Sequence, residues 1–502
     1  MSALSQPLPR EAASVGLRHR PRRAAVPLLL VTFTAFLLLY GLNAGELYRT
    51  ESLRAVLGAE FLRGAGRVVP TLYGEPLLTK PPGMYAAIAL ASWPAGAVSA
   101  ATARLPSVFA AGLAVWLFYC AFRRSLGRQA GLTAAALLPA SFLWLDRVPS
   151  AEIDMLQLAW VAAAVLFFLR ALELHEAPGP RRRWAEWRWW QAALLCVAGG
   201  LLTKWTAPAF FYLTAVPLLW WRGRLRCLWQ APHLAAAALA ALPCLAWAGA
   251  AVAAVGWDTV YETVRREALL RLSPAHHPRP YPWGELLQFP ALVLLGTLPW
   301  SLCARPALRP RFGRLWDERG RMLWQALHCW AWVNLLFWTV VPGHRPRHVL
   351  PLQPALAGLA AMVWHAWLTG RLPWPWPRLR PLRVFVGLLV LWLAVKLAFV
   401  HVLIPQRNEG RGARRSGEQL AALVPDGELL FLCGLKDEGI LFYYGRPARR
   451  VTDTAHLPRS AAPLHCLLTE AEWQAWRGPG AAEVLDRLRD EQGAGCVLVR
   501  VR

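Results

Sequence analysis

Apolar runs recur along the first four fifths of the chain, each close to the roughly 20 residues that one helix needs to cross a bilayer. That feature dictates a helical membrane protein. Composition agrees: of 502 residues, 56% are hydrophobic and only 17% charged, a balance that soluble domains rarely show.

The net charge of +25 comes from 55 Lys plus Arg against 30 Asp plus Glu. The cations fall in short segments between apolar runs, which is the positive-inside pattern. Segments such as Pro180-Arg181-Arg182-Arg183 lack the aromatic spacing on which bases stack, so no nucleic-acid partner is expected.

The spans are expected at roughly 26–43, 105–121, 130–145, 155–169, 189–203, 205–221, 232–255, 286–304, 322–341, 349–368 and 384–403. The first follows a basic stretch, Arg18 to Arg23, and reads as a retained span rather than a cleaved signal. Residues 1–25 are then a cytoplasmic basic N-terminus, 26–403 a transmembrane catalytic domain and 404–502 a small extracytoplasmic α/β domain. From an inside N-terminus, the clusters at Arg123-Arg124, Arg181 to Arg183, Arg222 to Arg226, Arg305 to Arg321 and Arg371 to Arg383 all fall inside. A full crossing at Gly83 to Ser99 would invert that agreement. This segment is short, interrupted by Pro94 and Gly96 and preceded by Pro81-Pro82, so an interfacial or re-entrant helix is expected within a first outer loop, 44–104.

Cys120, Cys196, Cys227, Cys244, Cys303 and Cys329 lie in or beside apolar helices and read as packing residues. Cys433, Cys466 and Cys496 share the C-terminal domain, and sequence decides no pairing among them.

The topology gathers Glu46, Glu51, Lys80, Asp154, Lys204, His276, His277, Arg345 and His348 at the outer ends of spans. Carboxylates and cations collected at one hydrocarbon boundary suit a lipid-linked anion. Leu53, Val56, Leu57, Phe61 and Leu62 recur at helical spacing, which predicts an amphipathic helix lying on the membrane with Glu51 near its N-terminus. Glu51 and Asp154 also suit plain helix N-termini, where carboxylates complement the dipole. Only four of the 55 cations are lysines, and Lys80 and Lys204 both occur as Thr-Lys at outer ends. An ammonium is a compact charge suited to a phosphate oxygen, although snorkelling also places Lys204 there. The outer loop around Arg345, Arg347 and His348 is unusually basic for its side of the membrane, and a bound phosphate would offset that charge. His276-His277 have no third ligand at a recognisable spacing and read as loop residues.

In these motifs the chain resembles the membrane glycosyltransferases of the GT-C class, specifically the protein O-mannosyltransferase superfamily that includes bacterial lipid A aminoarabinose transferases. The resemblance covers roughly residues 26–403 and rests on motif order. An acidic residue in the first outer loop is followed by Val68-Val69-Pro70 through Lys80-Pro81-Pro82, then Ala103-Arg104-Leu105-Pro106-Ser107, Asp154, Leu202-Thr203-Lys204, and Arg345 to Pro351. It implies an all-α polytopic GT-C fold with about 11 to 13 transmembrane helices. It also implies transfer from a polyprenyl-phosphate sugar donor, usually with inversion, to a lipid, glycan or protein acceptor at the outer face of the inner membrane. The family usually shows Asp-Glu in the first loop, whereas this chain reads Thr50-Glu51. Glu51 or Asp154 is then the expected base, with Lys80, Lys204, Arg345 and His348 on the phosphate and Glu46, Arg54, Arg104 and Arg347 as further site candidates. No external nucleotide is required, and a divalent metal is left open because no His or Cys cluster marks one. The competing class is a transporter or flippase of lipid-linked sugars, which would show paired interrupted spans and charges near mid-membrane; neither pattern is apparent.

Overall fold

The computed structural model describes residues 20–176, 180–269, 283–341, 345–409, 412–435, 438–459, 462–490 and 493–502. It is mostly helical. In chain order come α1 (Arg20–Leu39), α2 (Thr50–Leu62), α3 (Gly83–Ser92), α4 (Ala100–Leu126), α5 (Arg128–Leu137), α6 (Phe142–Arg147), α7 (Ile153–His175), α8 (Pro180–Leu201), α9 (Ala207–Trp221) and α10 (Ala231–Val255). Among the described residues five helices are long and apolar enough to cross a membrane: α4, α7, α10, Pro346–Leu368 and Pro381–Glu409. Shorter apolar helices occupy Ala25–Leu39, Ala207–Trp221 and Trp283–Gly296.

Several apolar runs that the sequence reads as continuous are broken, 286–304 among them, where one helix ends at Gly296 and the next starts at Trp300. Residues 130–145 split into α5 and α6 around Pro139, which cannot donate a helical hydrogen bond. The carbonyl of Ala140 in that gap accepts instead from the Trp300 indole. Residues 322–341 run as Glu318–His328, a π turn at Cys329–Val333, and Asn334–Val340. Tryptophans fill the bundle core: Trp144, Trp190, Trp300, Trp330 and Trp364 are among its largest fully buried side chains. The Trp330 indole N–H reaches Pro351 O at 2.9 Å, so its polar end is satisfied inside the core.

Helix α4 starts with a capping box, Ser99 and Thr102 each bonding the other's backbone N–H, and ends at Gly127 with φ 93°. Ahead of it, α3 has 10 residues, so its length of about 15 Å falls well short of a hydrocarbon core of about 30 Å. Its end carries Leu90 and Trp93 into exposure, as an interfacial segment does.

Helix α2 forms where its apolar spacing places it, and part of its apolar face packs on protein. Ala55 and Leu57 are buried in one cluster with Ile88 of α3 and with Leu420, Ile440 and Leu441 of the C-terminal region. Gly58 lets α2 and α3 approach, since a Cβ there would sit 2.5 Å from Ile88 Cγ2. Leu53, Val56 and Phe61 are partly buried against the same cluster.

Strands β1 (Thr71–Leu72) and β2 (Glu75–Pro76) make a hairpin in the first loop. The C-terminal sheet consists of β3 (Leu430–Leu432), β4 (Ala448–Arg450), β5 (Leu464–Thr469), β6 (Ala482–Arg489) and β7 (Gly495–Val501), in the order β4-β3-β5-β7-β6. β3 is parallel to β4 and β5, whereas β5, β7 and β6 are antiparallel. Side chains alternate between the faces. Leu430, Leu432, Leu467 and Leu498 face the cluster shared with α2, and Phe431, Leu468, Val497 and Val499 face the other way. The same alternation separates the three cysteines. Cys433 and Cys466 share the second face with their sulfurs 3.9 Å apart, and Cys496 lies on the first.

Candidate functional site

Three stretches of backbone carry the charged residues to one place. The Tyr73-Gly74 turn of the β1–β2 hairpin has positive φ at both positions, 56° and 81°. The Glu60 carboxylate holds this turn by accepting from the Thr71 hydroxyl and, at 2.9 Å, from the Tyr73 N–H. The chain then runs through Thr79-Lys80-Pro81-Pro82 to Gly83, whose N–H donates to Leu202 O at 2.9 Å. A Cβ at Gly83 would lie 2.8 Å from both Leu202 O and Thr203 Oγ1, so this close docking requires glycine. By this contact the Lys-Pro-Pro and Leu-Thr-Lys motifs meet, and Lys80 and Lys204 face the same cavity.

That first cavity has a volume of about 540 Å³ and is walled on its apolar side by Trp205, Phe337 and Trp338. Its polar side holds Arg54, Lys80, Glu152, Asp154, Lys204, Arg347 and His348. Lys204 Nζ donates to Asp154 Oδ1 at 2.7 Å, with both side chains buried. Lys80 pairs with Glu267 at 2.5 Å. Arg54 is buried and donates to the Tyr85 hydroxyl at 3.0 Å.

A second cavity of about 370 Å³ lies alongside, lined by Glu46, Arg49, Glu51, Arg104, Arg345 and Arg407 among others. Thr50, Glu152 and Arg347 line both cavities and so form the partition between them. The Glu152 carboxylate accepts from the Thr50 hydroxyl and, at 3.3 Å, from Arg347 Nη1. Burial pushes this carboxyl above the usual range; Arg54, Thr50 and Arg347 oppose that rise and Asp154 adds to it.

Glu51 is held on every side. Its Oε1 accepts from Arg104 Nε at 2.7 Å and from the Ala151 N–H at 2.9 Å, and its Oε2 from Arg104 Nη2 at 3.3 Å. Arg104, only 4% exposed, also donates to Leu42 O at 2.7 Å and Glu46 O at 3.4 Å. The Glu46 carboxylate in turn accepts from the Arg414 N–H at 3.3 Å, which ties the first loop to the C-terminal region.

The structure thus brings Lys80, Asp154, Lys204, His348 and Arg54 to the first cavity, Glu46, Glu51, Arg104 and Arg345 to the second, and Arg347 to both. Arg345 lines only the second cavity and His348 only the first, because the segment Pro346–Leu352 turns between them, while Arg347 reaches both. His276 and His277 lie outside the described residues.

A family model described as dolichyl-phosphate-mannose-protein mannosyltransferase matches residues 79–248. The undecaprenyl phosphate-alpha-4-amino-4-deoxy-L-arabinose arabinosyl transferase of Pseudomonas aeruginosa (strain LESB58) is 32% identical over 354 residues, covering 69% of this chain and 60% of that protein. The protein of the same name from Pectobacterium carotovorum is 28% identical over 394 residues, covering 76% of this chain and 67% of that one. Among solved structures, ArnT from Cupriavidus metallidurans bound to undecaprenyl phosphate shares the fold with a TM-score of 0.77 at 18% identity, over 95% of this chain and 98% of that one. In sequence and in fold the chain is similar to the protein O-mannosyltransferases and aminoarabinose transferases of the GT-C class.

The archaeal oligosaccharyltransferase AglB from Archaeoglobus fulgidus shares this GT-C fold more distantly, with a TM-score of 0.55 at 11% identity, over 85% of this chain and 64% of that one. With five helices long and apolar enough to cross a membrane among its described residues, the chain is a multi-pass membrane protein, and it spans 60% of the length of the first curated relatives it matches. Among its described residues no group of three His, Cys, Asp or Glu side chains is placed to hold a metal ion. Sequence reasoning missed two acidic residues that line the first cavity. Glu152 sits two positions before Asp154 in the same motif, and the signal available was its placement just ahead of a buried helix. Glu267 lies more than 180 positions from its partner Lys80, a separation that no local pattern reveals.

Proposed function

We propose that this protein transfers a sugar from a polyprenyl-phosphate carrier to an envelope acceptor at the outer face of the inner membrane. The observation that carries the reading is the convergence of Lys80, Lys204, Arg54, Arg347 and His348 on one cavity with an apolar wall. Cations there would hold the carrier phosphate and stabilise the charge that grows on its oxygen as the glycosidic bond breaks, in a site shielded from water. The aromatic wall would take the first part of the prenyl chain. Asp154 orients Lys204, and the Arg104 clamp assigns Glu51 to holding the first loop in place.

In this reading the N-terminus is cytoplasmic and residues 404–502 are extracytoplasmic, as the basic loops require. The crossings are α1, α4, α5 with α6, α7, α8, α9, α10, Trp283–Cys303, Glu318–Val340, Pro346–Leu368 and Pro381–Glu409. The relatives' printed names favour a pentosyl transfer, with 4-amino-4-deoxy-L-arabinose on undecaprenyl phosphate as the donor to try first. Lipid A is the acceptor to pair with it.

The test is to incubate the purified protein with that donor and lipid A in mixed micelles and to follow both products by mass spectrometry. Glycosylated acceptor and free undecaprenyl phosphate are expected in equal amounts. Intact donor after prolonged incubation, with every lipid-linked sugar and envelope acceptor tried, would contradict the reading.

A further inference from the structure

Inverting displacement at a sugar carbon needs the leaving phosphate on one face and the acceptor hydroxyl on the other. The two cavities supply such a pair of faces, and three side chains line both: Thr50, Glu152 and Arg347. Only one of these is a carboxylate. Resting on the transfer reading above, we infer that Glu152 is the general base of the reaction and that Thr50 is the residue that positions it.

The other carboxylates are placed for other work. Glu51 lines the second cavity, but both its oxygens accept from Arg104, and Oε1 accepts from the Ala151 N–H as well. Asp154 lines only the first cavity, the phosphate side, and is ion-paired with Lys204 at 2.7 Å. Glu152 spends one oxygen on its neighbours. Oε1 accepts from the Thr50 hydroxyl and from Arg347, whereas Oε2 has no hydrogen-bond partner among the described residues. A carboxylate with one oxygen anchored and the other free is oriented yet able to accept a proton.

The groups facing it are Arg54 and Thr50 from α2, Asp154 from the first turn of α7, and Arg347 with His348 from the segment before Gln353. Burial leaves Glu152 more basic than an exposed glutamate, which favours proton capture.

The step balances as follows. The acceptor O–H proton passes to Glu152 Oε2 while the acceptor oxygen forms its bond to the anomeric carbon. The bond from that carbon to the phosphate oxygen breaks, and the phosphate leaves with the electron pair, held by the cations of the first cavity. Products are the glycosylated acceptor, polyprenyl phosphate and protonated Glu152, which returns its proton to water.

The decisive comparison uses full-length protein in micelles, with undecaprenyl phosphate binding measured beside transfer. Glu152→Gln should lower kcat by about 10²- to 10⁴-fold while leaving the affinity for undecaprenyl phosphate within about threefold. Thr50→Asp in the Glu152→Gln background should return at least about tenfold of the loss, because a carboxylate then stands beside the same partition. Thr50→Val alone removes the hydrogen bond that lowers the Glu152 pKa, so the acid limb of the kcat profile should move to higher pH. Glu152→Asp covers the case in which the glutamine variant does not fold; it should keep a pH-dependent limb with reduced kcat. Near-normal kcat in Glu152→Gln, or a Thr50→Val profile unchanged in pH, would overturn the assignment while the transfer reading stands. Wild-type protein that transfers nothing would end both.

Discussion

Lys204→Met should reduce transfer by about 10²- to 10³-fold, the loss typical of removing one preorganised charge from a developing oxyanion. Two effects combine in that variant. On the proposed reading the carrier phosphate loses one of the cations that line its cavity, and Asp154 loses the partner that holds it at 2.7 Å. The carboxylate then faces an anionic substrate with nothing to offset its charge. Lys204→Met/Asp154→Asn should therefore bind undecaprenyl phosphate more tightly than Lys204→Met alone, because the repulsive charge is gone. Lys204→Arg should rescue only in part, since a planar guanidinium does not fill the place of a compact ammonium that is only 9% exposed. Steady-state kinetics with a titrated donor, together with the undecaprenyl phosphate Kd of each variant, check these expectations.

Arg104→Leu should be the most damaging single change to folding in the first loop. It deletes the guanidinium that joins Glu51 to Leu42 O and Glu46 O, and it leaves a carboxylate of which only 12% is exposed with one backbone donor. Breaking a buried pair from one side costs about 3 to 5 kcal/mol. That is a large part of the margin by which a domain is stable. The thermal midpoint of the detergent-solubilised protein should fall accordingly. Glu51→Leu/Arg104→Leu should recover part of the loss, because no unpaired buried charge remains. If Arg104→Leu alone melts with the wild type, the clamp contributes nothing to the fold.

Much of this architecture is legible in the sequence, and the parts that are not have identifiable causes. The long runs at α4, α7 and Pro346–Leu368 show as continuous apolar stretches because bilayer thickness imposes their length. The exclusion of Gly83 to Ser99 as a crossing follows from charge placement and from Pro94, and the 10-residue α3 agrees with it. The breaks at Pro139 and at Cys329–Val333 are harder to see, since hydropathy does not register a local change in helical hydrogen bonding. Helix α2 is legible as amphipathic, but hydropathy does not foresee its contact with the helix Glu438–Tyr444, which follows more than 300 residues later.

For the site, a topological argument reaches Lys80, Asp154 and Lys204, because each ends or begins an apolar segment on one side of the membrane. Their division into two cavities depends on side-chain direction. Arg345 and His348 are three positions apart and line different cavities, a distinction that needs the turn between them. Glu152 was overshadowed by Asp154 in the same motif. Its importance comes from Thr50, about a hundred residues earlier, and from Arg347, nearly two hundred later.

The central claim is that the first cavity holds a lipid-borne phosphate, with the prenyl chain leaving past its aromatic wall. A polyprenyl phosphate carrying a photoreactive diazirine in its first isoprene unit tests it directly, with the attachment site read by peptide mass spectrometry. The account predicts saturable labelling at Trp205, Phe337 or Trp338, competed by unmodified undecaprenyl phosphate and lost in Lys80→Ala/Lys204→Met. Labelling at the cytoplasmic ends of α4 and α7, or labelling that neither competitor nor double substitution reduces, would contradict it.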